Sequence, residues 1–135
     1  MPDPASQRLA DLSTGLLKLH KSLLEGERAV YERDVARITS TGQYFHLVMN
    51  DPWFSWLREL SQFIVLVDEA NTPKDPPSVA TAARFIAEAR QLLTPNEEGQ
   101  GFARRYFEVM QRDPEAVLAH RDMVQLIGRL NTDSQ

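Results

Sequence analysis

Apolar residues recur along most of this chain at steps of three and four, the spacing that keeps side chains on one face of an α-helix. Leu9, Leu12, Leu16, Leu19 and Leu23 set the pattern. It continues less regularly through Val30, Tyr31, Val35 and Ile38, so a first helix is predicted from about Pro4 to Ile38. Gly15 and Gly26 each weaken that helix by about 1 kcal/mol relative to alanine, and a bend is expected near Gly26. Ser40-Thr41-Gly42 interrupts the pattern, and Gln43 to Met49 is read as a short helix with Tyr44, Phe45, Leu47 and Val48 as its apolar surface. A second main helix spans Asp51 to Ala70 and buries Trp53, Trp56, Leu57, Leu60, Phe63, Ile64 and Val67. Its stretch Phe63 to Val67 is apolar all round, which predicts that this helix is the central one.

The segment Asn71 to Ser78 holds three prolines and reads as a loop. A third helix follows from about Pro77 to Leu93, with a seam of Val79, Ala82, Phe85, Ile86, Ala89 and Leu93. Its alanines predict close approach to a neighbour. A fourth helix covers about Pro95 to Arg112, or starts only after Gly101, and buries Phe102, Tyr106, Phe107 and Met110. A fifth runs from Asp113-Pro114 to near Leu130, with Ala116, Val117, His120, Met123, Val124, Ile127 and Leu130 inward. No loop separates the last two, so the chain should kink between them. Residues 131–135 are polar and expected to fray.

The starts of these helices are marked in a repeated way. Asp3-Pro4, Asp51-Pro52, Asp75-Pro76, Thr94-Pro95 and Asp113-Pro114 each set a capping side chain before a proline. The side chain accepts a hydrogen bond from an unpaired N–H of the first turn, and proline at the first helical position loses no bond. Thr94 is also three residues before Glu97, a capping-box spacing. The reading is therefore all-α: one helical-bundle domain over residues 1–135, with four main helices and one or two short accessory helices.

Composition narrows the function classes more than it names one. At 42% apolar residues the chain of 135 is not disordered by composition. It has no cysteine, which removes disulfides, thiolate metal sites and cysteine nucleophiles, and fits a reducing, cytoplasmic location. The first residues lack the basic and apolar runs of a secretory signal. The longest apolar run, Phe63 to Val67, is far short of the ~20 residues of a membrane helix. Net charge is −4, and neither half of the chain is basic: 8 basic and 11 acidic residues to Pro76, then 7 and 8. Arg104-Arg105 is the only adjacent basic pair, which argues against nucleic acid as a partner.

Candidate chemistry is sparse. A bundle metal site wants Glu-x-x-His, with both ligands one turn apart. Here His20 and Glu25, His46 and Asp51, and Glu115 and His120 are all five apart and point in different directions. No metal or cofactor is expected. His120 lies on the seam of the fifth helix, as a core-edge histidine with one ring nitrogen bonded to a neighbour. His20 sits on the rim of the first stripe. His120-Arg121-Asp122 spells part of a kinase catalytic loop, but the rest of that machinery is missing. Gly99-Gln100-Gly101 follows no strand and is a flexible helix start. Ser13, Ser22 and Ser61 have no histidine one turn away, so no catalytic residue is assigned.

Two features remain. Asp68-Glu69 places carboxylates at the C-terminus of a helix, against its dipole. An ion pair with Arg84, Arg90 or Arg129 would explain them, and a functional acid is the alternative. The aromatic group Tyr44, Phe45, Trp53, Phe54 and Trp56 is too dense for all five rings to face inward. Tryptophan and tyrosine are enriched at binding hot spots, so an exposed remainder would be a partner surface or the rim of a pocket. The simpler alternative is that they staple the short helix to the core. The candidate binding residues are His46, Asp51, Trp53, Trp56, Arg58, Asp68 and Glu69.

The stretch from His46 to Ala70, with Asp51-Pro52-Trp53, Trp56-Leu57-Arg58 and Asp68-Glu69, resembles a segment of an uncharacterised family of small bacterial helical proteins. The resemblance implies that these three motifs are where function lies, and it carries no activity. The expectation is a non-enzymatic interaction module that self-associates as a homodimer through the Trp53–Trp56 surface, or meets another protein there. The alternative is a small-molecule binder or enzyme with a pocket between helices near His46, Trp53, Arg58 and Asp68-Glu69.

Overall fold

A computed structural model describes residues 3–133. The chain is all-α, and its described residues form seven helices: α1 (Pro4–Asp34), α2 (Thr41–Asn50), α3 (Pro52–Ser55), α4 (Arg58–Ala70), α5 (Val79–Leu92), α6 (Phe102–Arg112) and α7 (Pro114–Asp133). α2 and α3 are the short accessory elements, and five longer helices stand where four were expected. Residues 131–133, expected to fray, continue α7, and residues 134 and 135 lie outside the described residues.

The central helix is α1, not the one containing Phe63 to Val67. α1 packs against α4, α5 and α7. Leu9, Leu12, Leu16, Leu19 and Leu23 are all buried among Leu60, Val67, Ala82, Ile86, Ala89, Met123 and Ile127. The all-apolar stretch of α4 fails to be central for a geometric reason. Phe63, Ile64 and Val67 take its inner face, and the helical turn carries Val65 and Leu66 to solvent, where each is about half exposed, at 52% and 53%.

Two of the three starts with aspartate keep their capping bond. Asp51 accepts from Trp53 N at 2.8 Å, and Asp113 accepts from Glu115 N at 3.1 Å. Asp3 precedes Pro4 at the start of α1 without a side-chain cap. The other two pairs start no helix. Past Asp75-Pro76, Ser78 caps α5 by accepting from Thr81 N. The Thr94 hydroxyl turns back to donate to Arg90 O and closes α5 instead of opening α6. α6 begins only after Gly101, whose φ of +61° is a conformation that favours glycine. The helix predicted over Asp51–Ala70 is broken at Trp56-Leu57 into α3 and α4.

α1 runs without interruption through both of its interior glycines. Both glycines sit where a neighbour comes close. A Cβ at Gly15 would collide with Leu126 and Met123 of α7, and one at Gly26 with the Asp113 carboxylate between α6 and α7. α1 ends at Asp34, four residues before Ile38, and Ser40 caps α2 through Gln43 N. A second, smaller core forms beyond this end, where Tyr31, Ile38 and Phe54 are buried with Tyr44, Leu47, Val48 and Trp53 around them.

Candidate functional site

Four-residue steps from Leu19 and Leu23 lead to positions 27 and 31, so the leucine stripe of α1 continues into Glu27 and Tyr31. Glu27 is buried, at 1% exposure. A buried charge must be paired and hydrogen-bonded to be tolerated. Arg112 of α6 donates to Glu27 Oε1, and Arg105 Nη2 lies 3.7 Å from Oε2. Trp56 Nε1 approaches Oε2 at 3.5 Å, and Trp53 Nε1 donates to the backbone Glu27 O at 3.2 Å. Both tryptophans therefore turn toward α1. Trp53 meets Tyr31 edge-on at 5.7 Å, and Trp56 packs on Phe102 at 5.4 Å. Glu27 is thus a joint between α1, α3 and α6. Its carboxylate is closed to solvent and its oxygens are engaged, so it offers no position for a reactant.

This arrangement turns the two rings of the expected surface inward. Trp53 and Trp56 do not form an exposed face: both are half-buried, and Phe54 is fully buried. The aromatic group staples α2 and α3 to the end of α1, and the ring left outside is Phe45.

The remaining candidates are dispersed. His46 is exposed on α2, with Nδ1 3.2 Å from Asn50 Nδ2. Asp51 is the cap of α3. Arg58 is exposed and donates to Met49 O at 2.7 Å, satisfying a carbonyl at the end of α2. Asp68 accepts from Ser13 Oγ at 2.6 Å and, among the described residues, makes none of the expected ion pairs; Arg84 pairs with Glu88 along its own helix. Glu69 is exposed. Ser13 and Glu27 are 14 residues apart on one continuous helix, which is about 21 Å. Asp68 is therefore far from Trp53, and the two do not share one site.

Sequence reasoning missed Glu27 and its two arginines. The signal was present, as a carboxylate at a position the leucine spacing assigns to the interior. It also missed the outer face of α2. Every residue of α2 keeps some exposure. Tyr44, Leu47 and Val48 pack inward, while Phe45 and Met49, one turn apart, are 66% and 51% exposed. The longest run of the chain without Asp, Glu, Lys or Arg extends from Ile38 to Asn50 and contains this helix.

His120 and His20 lie where their positions predict, whereas His46, expected to pack at a helix corner, is exposed. His120 Nδ1 lies 2.6 Å from Tyr106 Oη, at the inner edge of α7. Burial raises the Tyr106 phenol well above its ordinary value and lowers the His120 imidazole. His20, half-buried on α1, is lowered for the same reason. Among the described residues no group of three His, Asp or Glu side chains could hold a metal ion, and no helix is long and apolar enough to cross a membrane. A groove of about 530 Å³ lies between α1 and α7, with Lys18 and Arg129 beside Asp11 and Asp122. Comparison of the chain with protein-family models, with curated proteins and with solved structures gives no match.

Proposed function

We propose that this protein is a non-enzymatic, cytoplasmic helical module that self-associates through the outer face of α2. The observation that carries the reading is the pair Phe45 and Met49, exposed one turn apart on an uncharged helix. The natural occupant is a second copy. With two α2 helices antiparallel about a two-fold axis, Phe45 of each meets Met49 of the other, and a thioether against an aromatic ring is a favourable contact. Charged residues are depleted at interface cores. The rest of this chain repels its own copy, with a net charge of −4, and α2 is where that repulsion is weakest. A face of one short helix is small, so the dimer is weak, with a dissociation constant in the micromolar range or above.

Sedimentation equilibrium of the purified chain tests this. The expected result is a monomer–dimer equilibrium that Phe45→Glu with Met49→Glu abolishes while the far-ultraviolet circular dichroism stays unchanged. A wild-type chain still monomeric at roughly 1 mM, or a double variant that still dimerises, overturns the reading.

A further inference from the structure

The structure places a cavity beside the Tyr106–His120 pair. Tyr106 is fully buried, and its hydroxyl lies 2.6 Å from His120 Nδ1. The Tyr106 hydroxyl, kept protonated by burial, is able to donate to this ring nitrogen. With the hydroxyl as donor, the neutral imidazole carries its proton on Nε2. His120 lines a cavity of about 200 Å³ between the end of α5 and α7. Leu93, Met123 and Ile127 supply its apolar wall, and Arg90 stands at its edge. Arg90 is exposed and forms no ion pair among the described residues. The lining contains no carboxylate.

We propose that this cavity binds a small monocarboxylate with a branched or aromatic hydrocarbon tail. The guanidinium of Arg90 and the Nε2–H of His120 hold the carboxylate, and the tail lies against Leu93, Met123 and Ile127. Charge and size both select this class. Arg90 is a full positive charge with five donors suited to a carboxylate. The C-terminus of α5 opposes it with only about half a charge. Three carbonyls of that last turn are already covered, Ala89 O by Leu93 N, Arg90 O by the Thr94 hydroxyl and Gln91 O by Thr94 N. A volume of 200 Å³ equals about seven waters at ~30 Å³ each, which suits a ligand of roughly seven to nine non-hydrogen atoms. The groove between α1 and α7 is larger but sets two acids against two bases and selects no charge.

Nuclear magnetic resonance titration of the full chain with 3-methylbutanoate and benzoate tests the proposal, with 3-methylbutanamide as the uncharged control. The expected result is saturable shifts of the Met123 and Ile127 methyls and of His120 Nε2, in the millimolar range or tighter. Arg90→Gln, an exposed change that leaves the fold intact, should weaken the acids at least about tenfold and leave the amide unaffected. His120→Phe should weaken the acids as well, and Tyr106→Phe less so, because it removes the tautomer constraint but keeps the ring. Absence of saturable shifts overturns the proposal. So does an amide that binds as tightly as its acid, or Arg90→Gln without effect.

Discussion

Between Leu9 and Leu23, α1 meets its neighbours mainly through apolar side chains, and the one polar contact described there is Ser13 Oγ donating to Asp68 of α4. Between Glu27 and its C-terminus the same helix meets aromatic rings and arginines. The first region gains its stability from apolar area removed from water, which is large and indifferent to direction. In the second, a buried carboxylate accepts only partners at particular atoms. Leucines hold the long helices together, and Glu27 specifies where α3 and α6 sit.

The difference can be tested by breaking each region in turn. Leu16→Ala, at a fully buried position, should cost about 2–5 kcal/mol in chemical denaturation, the largest effect of any single truncation named here. At the other end the two halves of the ion pair should behave unequally. Arg112→Met leaves Glu27 buried with only the more distant Arg105, and should cost about 2 kcal/mol, less than a fully buried pair because Arg112 is 40% exposed. Glu27→Met removes the buried charge and lets both arginines turn to water, so it should cost clearly less than Arg112→Met. Equal losses would mean that packing, and not the carboxylate, defines this joint. Arg28→Gln should cost about 1 kcal/mol or less, since Arg28 reaches α2 only over the face of Tyr44 at 4.4 Å and otherwise makes a partly exposed pair with Glu32 of its own helix.

The smallest effect is a pH dependence from the two histidines. Burial lowers both His20 and His120 below the ordinary 6.5. The unfolded chain therefore takes up protons first on acidification, and stability falls as the pH drops from about 6.5 toward the folded values, with no contribution above that window. Denaturation midpoints at pH 7.5 and 5.5 should differ in this direction, and His20→Gln with His120→Gln should flatten the difference.

Helix identity was legible because period and capping act locally. The Leu9–Leu23 stripe, Ala82 and Ala89 of α5 and the Asp113-Pro114 start of α7 stand as the residue pattern implies, while Ala80, Ala83 and Ala87 face solvent. What the pattern does not encode is which helix the others surround. Phe63 to Val67 looks central by composition, yet centrality depends on how many neighbours a helix meets, and α1 wins through its length. Asp75-Pro76 and Thr94-Pro95 misled because a capping side chain also serves turns and helix ends, and only the surrounding chain decides. The aromatic group was visible, but its orientation was set by Glu27, 26 residues before Trp53. The Glu27 position could have been read from the leucine spacing alone. Its arginine partners could not, since they lie on a helix reached only after most of the chain.

The packing of α1 against α7 has a consequence for synthesis. The first position of α7 lies 80 residues beyond the last of α1, from Asp34 to Pro114. At about 5–20 residues per second, the leucine stripe waits roughly 4–16 seconds for its last cover. During that interval Leu16, Leu19 and Leu23 face the nascent chain's surroundings. A chaperone that recognises leucine-rich helices would find its site on this protein only until α7 packs.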